Sequence, residues 1–241
     1  DIITGNADGE ILYFENEYGN FTYWGNIQNG TGMNGTDLDV GVMSSPWVVD
    51  FLGDGNLDII VGDFYGYIRC YEALTDSTPN DNTDNVYEFA GFLQSGGAPI
   101  KVTQYSEPTM VDFSIPPDGY LDLLVGDNDY GSFGKIRFFE NDGTGNFIDR
   151  GYLQYQWIGS IYQDINVGDM ACPIAYDWNN DGDLDLIVGD HNGNIRYYEN
   201  QGDNRFDPAS YISCDGSSLQ VYYDATPYIV DDWNHDGRGP D

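Results

Sequence analysis

The segment Asp177-Trp178-Asn179-Asn180-Asp181-Gly182-Asp183-Leu184-Asp185 carries oxygen-bearing side chains at its first, third, fifth and ninth positions, with glycine at the sixth. Alternate residues of a tightly curled loop point inward, and glycine permits the sharp turn. Calcium wants roughly six to eight oxygens in a flexible cage, drawn from carboxylates, amide and backbone carbonyls, and water. The spacing therefore predicts Ca²⁺ held by Asp177, Asn179, Asp181 and Asp185, with the carbonyl of Asp183 added. A plain Asp-Gly turn is the metal-free alternative for any one such loop.

The loop recurs. Asp50, Asp54, Gly55, Asn56 and Asp58 form one copy, with Leu52 in the third place. Asp112, Ser114, Asp118, Gly119 and Asp122 form another, lengthened by Pro116 and Pro117. Asp232, Asn234, Asp236 and Gly237 open a fourth, whose closing carboxylate is expected to be Asp1. In each complete copy a β-type apolar run follows where a helical calcium loop would need a helix. An EF-hand or dockerin-like reading is rejected on that ground.

These loops must be positioned by repeated elements. After Pro46, Pro108, Pro173 and Pro227 comes a short apolar strand, then the acidic loop. A nearly continuous apolar strand follows, written LDIIVG, LDLLVG, LDLIVG and, at the N-terminus, DIITG. After a second Gly turn stands an alternating strand: YIRCYEA, KIRFFEN, NIRYYEN and EILYFEN. The repeats run 46–107, 108–172, 173–226, and 227–241 joined to 1–45. Short strands at regular spacing, punctuated by Gly, Asn and Asp, predict an all-β closed architecture. Four units of about 60 residues suit a four-bladed β-propeller forming one domain. Pairing of N- and C-terminal strands in one blade would seal such a ring without a raw edge.

The loop followed by LIVGD resembles the FG-GAP/VCBS repeat family, known from integrin α-subunit propellers and secreted microbial proteins. The resemblance covers essentially the whole chain and implies a calcium-binding propeller used for adhesion, glycan binding or scaffolding. Family members more often have seven blades; four is a departure.

Composition narrows the partners. The net charge is −33, with 33 Asp, 8 Glu and only two lysines, Lys101 and Lys135. An Asp bias favours tight loops and hard-cation ligands. Four bound Ca²⁺ would leave a charge of about −25, so calcium accounts for part of the acidity only. Nucleic acid needs clustered positive charge and is not expected. No apolar run is long enough to insert in a membrane. The sequons at Asn20, Asn29 and Asn34 suit a secreted or cell-surface protein. Cys70, Cys172 and Cys214 leave the compartment open: one disulfide plus a thiol, or three thiols.

Other residues divide between packing and recognition. Phe51, Phe113, Trp178 and Trp233 each follow the first loop Asp, which predicts packing between repeats. Trp24 and Trp157 lie in variable segments and are the candidates for stacking on a ligand. Asp63, Asp127 and Asp190 are expected to cap turns. Arg69, Arg137 and Arg196 are expected to pair with carboxylates of a neighbouring repeat. His191 and His235 show no evident acid–base partner, and no G-x-S-x-G, H-E-x-x-H or phosphate loop occurs. The expected function is non-catalytic recognition of a glycan or extracellular protein. The alternatives are a surface-layer or filament subunit that self-associates by strand exchange, and a polysaccharide-active enzyme.

Overall fold

The apolar runs become the buried strands of the computed structural model. Asp58–Gly62 and Asp185–Gly189 are buried at every position, and Asp122–Asp129 at all but the last. A continuous apolar run fits a strand covered on both faces. The alternating strands pair antiparallel with them, through Val61↔Arg69, Val125↔Arg137 and Val188↔Arg196. The strands that begin at the prolines pair on the other side, through Trp47↔Ile60 and Ile174↔Ile187. In the first repeat Val86–Phe92 adds the fourth antiparallel strand. At the N-terminus Ile2–Gly5, Ile11–Glu17 and Asn20–Asn26 make a three-stranded antiparallel sheet.

The structure describes residues 1–30, 35–74, 86–129, 131 and 133–230. Among them there is no helix, so none long and apolar enough to cross a membrane. The all-β expectation holds. Asp232, Asn234, Asp236, Trp233, His235 and the sequon residue Asn34 lie outside the described residues.

In a recurring way the end of each repeat folds back on that repeat's own turn, which sets the proline of the next repeat beside it. The residue three before each repeat proline adopts a left-handed backbone: Met43 (φ 49), Tyr105 (φ 45), Met170 (φ 51) and Asp224 (φ 49). The next residue then bonds to the preceding Gly-Asp turn. The N–H groups of Ser44, Ser106 and Ala225 donate to the carbonyls of Asn6, Asp63 and Asp190, each at 3.1 Å. The Ala171 N–H donates instead to Asn128 Oδ1 at 2.6 Å. The glycine ending the buried strand makes room for this return. A Cβ on Gly5, Gly62 or Gly189 would sit 1.9, 2.0 or 1.9 Å from the carbonyl oxygen of Ser44, Ser106 or Ala225.

A second device links neighbours at the periphery. The short hairpin Gln28–Asn29/Thr36–Asp37 runs parallel to the start of Val86–Phe92, with Gln28 opposite Val86. The hairpin Gln94–Ser95/Ala98–Pro99 does the same with Gln94 opposite Asn146. Gln154–Ile158/Ile161–Asp164 repeats it with Gln154 opposite Arg205. The fourth hairpin, Ser213–Cys214/Ser217–Ser218, forms a two-stranded sheet.

The chain divides into two compact units, Asp1–Met110 with Asn141–Ile148, and Val111–Glu140 with the chain from Asp149 onward. The first is built on Ile11, Ile27, Leu38, Ile59, Val61 and Tyr71. The second is built on Phe113, Leu124, Ile136, Leu186, Val188 and Phe206. Phe51 stacks on Phe147 and Phe113 on Phe206, so these two loop aromatics do pack against the next repeat. Trp178 departs from the expectation and stays 41% exposed.

None of the three cysteines is bonded to another. Cys70 and Cys172 are buried and Cys214 is exposed. Burial, aided by nearby Asp58 and Glu72, pushes the Cys70 thiol up to about 12. The thiolate is the reactive form. A colorimetric disulfide reagent is therefore expected to titrate one thiol rapidly in the native protein, Cys214, and all three after denaturation.

Candidate functional site

Each described acidic loop is organised by its first aspartate. Asp177 Oδ1 and Oδ2 accept from the N–H groups of Asp181 and Gly182, each at 3.0 Å. Asp50 grips Asp54 and Gly55 in the same way, also at 3.0 Å. Asp112 reaches Asp118 at 3.3 Å and Gly119 at 2.8 Å, despite the two extra prolines. The sixth-position glycines, Gly55 and Gly182, have φ of 91 and 97. That is the left-handed region in which a Cβ is penalised.

The closing aspartate belongs to the frame. Asp58, Asp122 and Asp185 are fully buried. Asp185 Oδ2 accepts from the Trp178 N–H at 3.2 Å and the Tyr197 hydroxyl at 2.9 Å, while Oδ1 accepts from the Asn200 N–H at 2.8 Å. Asp58 holds the N–H groups of Phe51, Leu52 and Ala73, each at 3.1 Å. Asp122 holds the Phe113 N–H at 2.9 Å and the Ser114 hydroxyl at 3.0 Å. Burial and Asp185 together raise the Tyr197 phenol far above its ordinary range.

Asp1 repeats this pattern. Its Oδ2 accepts from the Tyr13 hydroxyl at 2.8 Å and its Oδ1 from the Asn16 N–H at 2.9 Å. Tyr13 and Asn16 correspond to Tyr197 and Asn200 in the aligned strands EILYFEN and NIRYYEN. Asp1 thus makes the strand-side bonds of a closing aspartate.

The remaining loop donors are all oxygens, the ligand type a hard cation requires. Asp177 Oδ1 and Asn179 Oδ1 both accept from the Asp181 N–H, at 3.0 and 2.9 Å, so two predicted ligands share one focus. Asp181 Oδ1 caps the Asp183 N–H at 3.0 Å and Asp54 Oδ1 the Asn56 N–H at 2.9 Å. Asp181 and Asp54 themselves are exposed. Among the described residues, no three His, Cys, Asp or Glu side chains gather closely enough to hold an ion alone. The donor set of the third loop fits calcium only if amide and carbonyl oxygens and water complete the shell.

Residues 177–239 match the family model of the FG-GAP-like repeat. No curated protein matches the chain. The FG-GAP-like segment begins at Asp177, the first residue of the third acidic loop, and takes in the strands that follow it.

Other candidate residues lie within and outside this matched segment. Asp63 Oδ1 and Asp190 Oδ1 cap turns as expected, accepting from the Tyr67 and Asn194 N–H groups at 3.0 Å. Arg69 and Arg196 pair with Asp63 and Asp190 of their own repeats, not of a neighbour. The hairpin register explains this correction. Arg69 lies opposite Val61 and Arg196 opposite Val188, so each guanidinium reaches a carboxylate two residues further along the same face. Arg137 pairs with Asp149, while Asp127 takes the Tyr152 hydroxyl at 2.6 Å.

His191 does have a partner, contrary to expectation: its Nδ1 lies 2.6 Å from Asp224 Oδ1. That hydrogen bond raises the imidazole pKa above its ordinary value, helped by the charges of Asp169 and Asp190. The two residues are 33 apart in sequence, which hid the pair. Trp24 and Trp157 are 55% and 53% exposed, available to a ligand. Trp24 Nε1 donates to Glu15. Asn20 is exposed and Asn29 half-buried in its hairpin.

Proposed function

We propose that the chain is an extracellular calcium-binding module of β-propeller type, built of four FG-GAP-like repeats and used for non-catalytic recognition of a glycan or protein. The observation that carries this reading is the loop geometry shared by Asp50, Asp112 and Asp177, one repeat of which lies in the FG-GAP-like match. In the third loop Asp177, Asn179, Asp181 and the Asp183 carbonyl would hold the ion. Bound calcium would neutralise crowded carboxylates and fix the loop. A secreted setting supplies calcium at the concentrations that weak extracellular sites need, about 10⁻⁴ to 10⁻³ M.

The test is binding against turnover. Arrays of glycans and extracellular proteins, probed in calcium and in chelator, are expected to give binding without product, lost in chelator. Release of product from a polysaccharide would contradict the non-catalytic reading.

One observation favours a second reading, a surface-layer or filament subunit assembled by strand exchange. In three repeats a peripheral hairpin takes a parallel strand from the next repeat, a pairing that a second copy of the chain can also supply. Mass measurement in solution separates the readings: polymers support exchange, and a compact monomer counts against it.

A further inference from the structure

The second unit carries two adjoining depressions of about 380 and 360 Å³ that share Phe138, Glu140 and Asn204. Each lies within the range of small-ligand sites, roughly 300–1,000 Å³. Phe138 is 7% exposed and gives an apolar floor. Arg150, Gln154, Tyr162 and Arg205 wall the second depression, and Asp203 the first.

Two arginines stand at this cleft, each beside a carboxylate. The protein has 41 acidic side chains and eight Lys or Arg. Here Glu140 and Asp203 each face an arginine, and Asp118 belongs to the second acidic loop. Arg150 Nε donates to Glu140 Oε2 at 2.6 Å, and Arg205 pairs with Asp203. Arg205 Nη1 also donates to the Tyr162 hydroxyl at 3.2 Å. Both arginines are about half exposed, at 48% and 56% of the side chain. Close by, Lys135 bonds Asp164 at 2.9 Å, and Gln154 Nε2 donates to the same carboxylate at 2.9 Å.

We infer that this cleft binds a neutral saccharide. The inference rests on the recognition reading and gives it a site and a ligand class. Three physical points lead there. A polyanion would be repelled by a chain of charge −33. A cation would gain little from Glu140 and Asp203, already paired with guanidinium groups, and Asp118 belongs to the second acidic loop. A polyhydroxylated neutral ring suits both partners of each pair, since its hydroxyls donate to Glu140 and Asp203 and accept from Arg150 and Arg205. Its apolar C–H face can rest on Phe138 and the ring of Tyr162. The lining comes from four places in the sequence, the second acidic loop at 114–118, the strand Phe133–Asn141, the segment 150–162 and the turn 203–205, which only the fold brings together.

The test is calorimetry of the full chain in calcium buffer with cellohexaose, xylohexaose and mannohexaose, and polygalacturonate as an anionic comparator. At least one neutral hexasaccharide is expected to bind saturably. Tyr162→Ala is expected to weaken it roughly ten-fold by loss of ring contact. Gln154→Ala, at an exposed position, is expected to weaken it by a smaller factor and guards against misfolding of the first variant. Tyr18→Ala, at a fully exposed position elsewhere, should change nothing. Saturable binding unaltered by both cleft variants overturns the cleft and leaves glycan recognition standing. Failure of every neutral hexasaccharide to bind folded protein overturns the saccharide assignment and leaves protein recognition standing. Preference for polygalacturonate overturns the neutrality argument.

Discussion

Asp185→Ala is expected to lower the thermal midpoint by roughly 10 °C, through a loss of about 3–5 kcal/mol. The reason is the asymmetry between making a hydrogen bond and abandoning one. The carboxylate is fully buried and satisfies two backbone N–H groups and the Tyr197 hydroxyl. Alanine would leave all three donors without this acceptor, the Asn200 N–H in a buried site. It would also untie the acidic loop from the strand that follows. Asp185→Asn keeps the volume and one acceptor but turns an N–H₂ toward donors, so an intermediate loss is expected. Urea or thermal melts check the series. A midpoint within about 2 °C of the parent for Asp185→Ala would mean that the loop frame does not depend on this residue.

Gly62→Ala is expected to cost about 3 kcal/mol, a large effect for one methyl group. The added Cβ would lie 2.0 Å from the Ser106 carbonyl oxygen and 2.8 Å from Pro108 Cδ. Neither neighbour is the free end of a flexible side chain, so the strand or the next repeat must shift. A shift would also loosen the Ser106 N–H bond to the Asp63 carbonyl that ties the end of the repeat to its own turn. Gly189→Ala should behave alike, with its Cβ 1.9 Å from the Ala225 carbonyl oxygen. Equilibrium unfolding of both variants provides the check. If Gly62→Ala unfolds at the parent denaturant concentration, the close approach of Gly62 to the Ser106 carbonyl is wrong.

Much of this was legible in the sequence because the repeat states it several times. The apolar runs LDIIVG and LDLIVG become Asp58–Gly62 and Asp185–Gly189, buried throughout. The likeness of the Asp1 bonds to those of Asp185 also follows from the repeat, since their strands align. What the repeat cannot state is which of two jobs a carboxylate takes. Spacing alone made Asp58, Asp122 and Asp185 equal to the other ligands, yet all three are buried and held by N–H or O–H donors. Register was equally hidden, so Arg69 and Arg196 were assigned to neighbours although each reaches a carboxylate of its own hairpin. The two-residue parallel contacts at Gln28, Gln94 and Gln154 are too short to leave a periodic signal. The cleft was invisible for a related reason. Glu140, Arg150, Tyr162 and Arg205 are scattered, and three of them stand in the segments that differ most between repeats.

The most direct test is a calcium titration of chelator-treated protein, followed by calorimetry and thermal melting. The third acidic turn, at least, should take up the ion saturably. At a hundred-fold excess over its dissociation constant the folded state should gain about 2.7 kcal/mol for each occupied site. Asp181→Ala, which alters an exposed side chain, should abolish uptake at that turn while leaving the metal-free protein folded. Absence of saturable uptake, with the same melting midpoint in calcium and in chelator, would contradict the account.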